Sequence, residues 1–130
     1  MKINIFVICL LSLFFLISCD NYDDIKIDPK KYEQVVLSGD AAVQYELARD
    51  YSWKIRCCCG VPMANPKSVM KIDQQGYFLL LLASANAADQ EIFDKASSLR
   101  NHIAEKLPPS VVTLIRIEAQ EWMEKFSESY

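Results

Sequence analysis

The sequence predicts an all-α protein, a small antiparallel domain of about five helices behind an N-terminal signal segment. Three observations point there. Apolar residues recur at spacings of three and four in successive windows, the repeat of one helix face. The windows are separated by capping or breaking residues: Asp28-Pro29, Gly39-Asp40, Asn65-Pro66, Asp89 and Pro108-Pro109. The 130 residues include only three glycines and few β-branched clusters, which argues against an all-β fold.

The first segment, residues 1–18, is built for export. Lys2 supplies a minimal positive start, and Ile3 to Ile17 is apolar except for Asn4 and Ser12. Such a run of about 15 residues suits a secretory signal and is short for a membrane span, which needs roughly 20. Leu16-Ile17-Ser18-Cys19 then resembles the bacterial lipobox. That resemblance implies cleavage between Ser18 and Cys19 and a thioether-linked, palmitate-bearing lipid on Cys19. Asp20 matches the residue that, in enteric bacterial lipoproteins, accompanies retention in the inner membrane; the outer membrane is the alternative address. The expected location is therefore the bacterial cell envelope, facing the periplasm. Each buried CH₂ of a lipid chain contributes roughly 0.8 kcal/mol, so two or more chains anchor stably. Residues 19–28 read as a lipidated acidic tether: positions 20–28 hold four Asp and one Lys. Fully extended, the tether reaches roughly 30 Å from the bilayer.

The whole chain carries a formal net charge of −3, and without Lys2 it has 13 basic against 17 acidic residues. A mildly acidic chain with no basic cluster argues against nucleic acid as a partner. Of the five cysteines, Cys9 leaves with the signal and Cys19 takes the lipid. Cys57, Cys58 and Cys59 remain, an odd number in an oxidising compartment. Adjacent cysteines meet the spacing and dihedral of a disulfide badly, and a Cys57–Cys59 bridge is strained. At least one thiol is left over.

Residues 29–130 form the helical domain. Asp28 and Pro29 open the first helix, in which Tyr32, Val35 and Val36 share a face; Ser38-Gly39 closes it. Asp40 caps a second helix from Ala41 to about Arg56, with Leu47, Tyr51 and Ile55 on one face and Tyr45, Ala48 and Ser52 on the next. Cys57 to Pro66 is a loop rich in breakers. A third helix spans about Ser68 to Ala88, with Gly76 as a point of interruption. Its run Tyr77 to Ala83 is apolar on every side, which marks a central helix; a buried strand is the alternative, and the alanines that follow favour helix. Asp89 caps a fourth helix with the stripe Ile92, Ala96, Leu99, Ile103 and Leu107. Pro108-Pro109 stops it, and Ser110 caps a fifth. There Val111, Ile115, Trp122 and Phe126 lie near one face, Ala119 sits beside it, and Leu114, Ile117 and Met123 widen it.

Gly39-Asp40-Ala41-Ala42-Val43-Gln44-Tyr45-Glu46-Leu47-Ala48-Arg49-Asp50-Tyr51 resembles the first helix of a Sel-one-like repeat, a relative of the tetratricopeptide hairpin. Gln44, Tyr45, Leu47 and Tyr51 match its pattern; Val43 stands for Ala and Ala48 for Gly. Gly60-Val61 resembles the turn between the two helices, and Tyr77-Phe78 with Ala83 and Ala85 loosely resembles the second helix. The segment between turn and aromatic pair is longer than in the family, and the alanine spacing is shifted. The resemblance covers about 50 residues, one repeat where such folds want three or more, so the flanking helices must close the core. It implies an adaptor surface for another protein. Some lipoproteins with such repeats resemble immunity proteins that neutralise periplasm-acting toxins such as type VI phospholipase effectors.

Residues able to carry chemistry are few. His102, the single histidine, falls at the edge of the fourth-helix stripe, a boundary position. Three consecutive cysteines diverge in direction and have no second cluster to complete a zinc site, so no metal and no cofactor are expected. Arg56 precedes the cysteines, which lack the Cys-x-x-Cys spacing of a redox pair. Glu118, Glu121 and Glu124 recur at spacing three, the pattern of a solvated face. Trp53 and Trp122 are expected in the core, with an interface anchor as the alternative. The leading expectation is a non-enzymatic, membrane-anchored adaptor; an immunity protein and a thiol redox protein using Cys57, Cys58 and Cys59 are the alternatives.

Overall fold

A computed structural model describes residues 28–55 and 65–128, and over these it is a small all-α domain. The lipobox, Cys19 and the cluster Cys57, Cys58 and Cys59 lie outside the described residues. Five helices follow in order: α1 (Pro29–Ser38), α2 (Ala41–Lys54), α3 (Pro66–Asn86), α4 (Gln90–Ala104) and α5 (Pro109–Glu128).

The helix starts are fixed by short polar side chains. Asp28 accepts from the backbone N–H of Lys30 at 3.0 Å, and Asp40 from that of Ala42 at 3.0 Å. Asn65 accepts from Ser68 N–H at 2.9 Å, and Asp89 from Ile92 N–H at 2.9 Å. Each satisfies an N–H that has no partner within its own helix. Gly39 ends α1 at φ 65°, the left-handed conformation that glycine adopts without a Cβ penalty. The fifth start departs from expectation. Ser110 lies inside α5 rather than capping it: the helix begins at Pro109, and Pro108 O accepts from Val111 and Val112 N–H. A proline without an N–H suits that first position, so Pro109 opens α5, whereas α4 ends earlier than expected, at Ala104, and Leu107 is buried in the turn that follows it.

Helix α3 is the centre, with α2, α4 and α5 packed against it, α2 also touching α4, and α1 resting on α2. Tyr77, Leu79, Leu80 and Ala83 are wholly buried, and Leu82 nearly so. Full burial of one such side chain contributes about 1.5–3 kcal/mol. Helix α3 runs unbroken through Gly76. A Cβ built there would stand 3.7 Å from Ile103 Cδ1, an ordinary contact distance, so the position faces α4.

The chain reverses between successive packed helices. Asn86 at the end of α3 donates to Gln44 Oε1 near the start of α2, at 3.3 Å. Gln44, fully buried, also donates through Nε2 to Val35 O and Val36 O at 3.4 Å each, which ties in the end of α1. Arg116 Nε donates to Tyr77 Oη at 2.9 Å and joins α5 to α3.

Three expectations about side chains fail. Trp53 is 68% exposed at the end of α2, not in the core. Leu114 and Ile117 are 66% and 51% exposed, so they do not widen the buried face of α5. The reason is that α5 meets the core chiefly through α3, so it buries a narrow stripe centred on Ile115 and Ala119.

Candidate functional site: a groove between three helices

Because α1 rests on α2 and α5 rests on α3, the two outer helices leave a gap between them. An open groove of about 490 Å³ occupies it. Tyr32, Glu33 and Val36 of α1 form one wall; Ile115, Glu118 and Trp122 of α5 form the other; Gln74, Gln75 and Phe78 of α3 make the floor. Helical spacing explains the set. Positions 32 and 36, 74 and 78, and 115, 118 and 122 each fall at intervals of three or four, on one face of their helix.

The groove combines aromatic rings with two carboxylates. Trp122 stacks on Phe126, ring centroids 6.4 Å apart and planes inclined by 20°, which holds the indole in place. Tyr32 and Trp122 are half-buried, while Glu33 and Glu118 are exposed. Burial holds the Tyr32 phenol well above the usual tyrosine range, and the neighbouring Tyr51 and Glu118 add to the effect. Tyr51, behind it on α2, is pushed up to about 12 by burial and then by Asp28. Both hydroxyls therefore stay protonated at neutral pH and keep a donor available. In the floor, Gln75 Oε1 is buried without a hydrogen-bond partner. The nine lining residues offer aromatic rings, side-chain amides, carboxylates and aliphatic groups, and include no cysteine, serine or histidine.

Of the residues singled out from sequence, Glu118 and Trp122 are brought together in this groove. Glu121 and Glu124 are exposed, and Glu124 accepts from Gln120 Nε2 at 3.4 Å. His102 is exposed on the last turn of α4. Among the described residues no group of three or more His, Cys, Asp or Glu is placed to hold a metal ion, and no helix is long and apolar enough to cross a membrane. Sequence reasoning missed Tyr32, Glu33, Gln74, Gln75 and Phe78 as a site. Its one available signal was Gln74-Gln75, a polar pair in an otherwise central helix, which marks a strip of α3 left uncovered.

No protein-family model, curated protein or solved structure matches the chain.

Proposed function

We propose that the chain is a non-enzymatic bacterial envelope lipoprotein, anchored by lipid on Cys19, whose helical domain docks another protein. The observation that carries the docking reading is the groove between α1, α3 and α5. It presents aromatic side chains together with one buried amide oxygen that has no partner, Gln75 Oε1. Aromatic residues in a concave, partly desolvated setting are favoured anchors for a partner. The lipobox-like Leu16-Ile17-Ser18-Cys19 supports the anchor, and the Sel-one-like pattern of α2 supports the adaptor reading.

The test is co-purification from detergent-solubilised membranes, using the full chain with a C-terminal tag beside a Cys19→Ala control. Wild-type protein should fractionate with membranes and the control should not. Resident envelope machinery recovered with the bait identifies an adaptor. A single secreted enzyme bound near one to one, and inhibited, identifies an immunity protein. Recovery of no partner by either form sinks the docking reading and turns attention to the thiols of Cys57, Cys58 and Cys59.

A further inference from the structure

The chemistry of the groove narrows what occupies it. Its two carboxylates stand on opposite walls, Glu33 from α1 and Glu118 from α5, and no lysine or arginine is among its lining residues. An acidic segment would bring like charges together, which costs binding, whereas a basic one is drawn in and oriented. The same groove is lined by Tyr32, Phe78 and Trp122. Aromatic faces attract lysine and arginine within about 6 Å and also accept aliphatic side chains. A purely apolar segment would desolvate the carboxylates and leave Gln75 Oε1 unmet.

The size is set by the helix. From Ile115 to Trp122 the wall rises along α5 by roughly 10 Å, two turns at 1.5 Å per residue. That length accommodates a short segment with one apolar anchor and a cation on either side, not a whole domain. A second copy of this chain is a poor occupant, because the mature protein is itself acidic, with 13 basic against 17 acidic residues.

We propose that the groove between α1, α3 and α5 receives a short, basic, amphipathic segment of the partner protein. Its apolar side chain enters between Tyr32, Phe78 and Trp122, and its flanking lysines or arginines meet Glu33 and Glu118. The proposal rests on the docking reading and assigns that reading a partner of defined charge.

The test is fluorescence anisotropy with the full-length chain in non-ionic detergent. The probe is a labelled synthetic peptide with leucines at helical spacing flanked by lysines, compared with a twin in which every lysine is glutamate. The wild type should bind the lysine peptide about tenfold more tightly than its twin, which corresponds to about 1.4 kcal/mol. The double variant Glu33→Lys, Glu118→Lys should abolish that preference, while Asp50→Lys, exposed on α2, should leave it intact. All three positions are solvent-exposed, so the helical spectrum should be unchanged. Equal binding of the two peptides by the wild type overturns the proposal, as does a preference that survives the double reversal. In the co-purification, a partner retained equally by wild type and double reversal also overturns it, while leaving the docking reading in place. A lysine preference with no natural partner recovered overturns the proposal together with the docking reading on which it rests.

Discussion

Gln44 shows how one side chain can hold three helices. It is wholly buried, its amide nitrogen donating to the carbonyls of Val35 and Val36 and its amide oxygen accepting from Asn86. A buried amide is stable only because these partners replace water. Replacing Gln44 with Leu keeps the volume and removes a donor from Val36 O and Val35 O, of which Val35 O still accepts from Ser38 Oγ at 2.7 Å, and the acceptor of the exposed Asn86 amide. The expected loss is about 1–3 kcal/mol, read as a lower urea midpoint. A Gln44→Leu protein as stable as the wild type would show that the corner is held by packing alone. The sequence displayed Gln44 only through its place in a repeat-like pattern. Nothing in the local periodicity announced that a glutamine would be among the most buried residues of the domain. Burial of a polar group depends on partners distant in the chain, and here Asn86 lies 42 residues away.

At the scale of the helix, α3 was legible in kind and less so in detail. Its apolar run Tyr77 to Ala83 signals a central helix, and that is its place. The individual leucines are not equivalent. Leu79, Leu80 and Leu82 are buried, whereas Leu81 is half-buried. A charge at position 80 has no route to water, and Leu80→Asp should abolish the cooperative melt, since an unpaired buried carboxylate costs several kcal/mol. Leu81→Asp should lower the melting temperature while keeping the far-ultraviolet helical spectrum. Both variants behaving alike would mean that α3 is rotated from the orientation described. Gly76 carries the opposite lesson. Glycine disfavours a helix interior, so sequence suggested a break there, yet the helix continues. Gly76 is buried in the middle of the central helix, facing α4, where tertiary packing overrides local propensity. Caps were the most readable feature. Asp28, Asp40 and Asp89 sit where helices begin, because capping is decided within four residues of chain, whereas Asn65, read as a loop breaker with the helix expected from about Ser68, is itself the cap of α3.

At the scale of the molecule, the number and order of helices follow from local pattern, while the groove does not. It arises because α1 and α5 settle on different neighbours, a matter of three-dimensional packing that spacing along one helix cannot express. The same packing couples residues far apart in the chain. Tyr32 on α1, Tyr51 on α2 and Glu118 on α5 share one partly buried neighbourhood, and Asp28 acts on Tyr51 as well. Stability at high pH is therefore a property of the whole arrangement. A tyrosine in an unfolded chain titrates near 10.0; in the fold Tyr51 is raised to about 12, and Tyr32 is raised too. The fold thus favours the neutral phenols. Their contribution is fully present below pH 10 and is lost as pH rises from there through the folded-state values, where the unfolded chain releases its protons first. Melting temperature followed by circular dichroism should fall steeply over that interval, and tyrosinate absorbance of the native protein should lag behind that of the denatured protein. The double variant Tyr32→Phe, Tyr51→Phe has no phenol to ionise at these positions, so its melting temperature should decline more gently over the same range. An identical slope in both proteins would place the alkaline sensitivity in other groups and would mean that α1 does not shield the two rings from water.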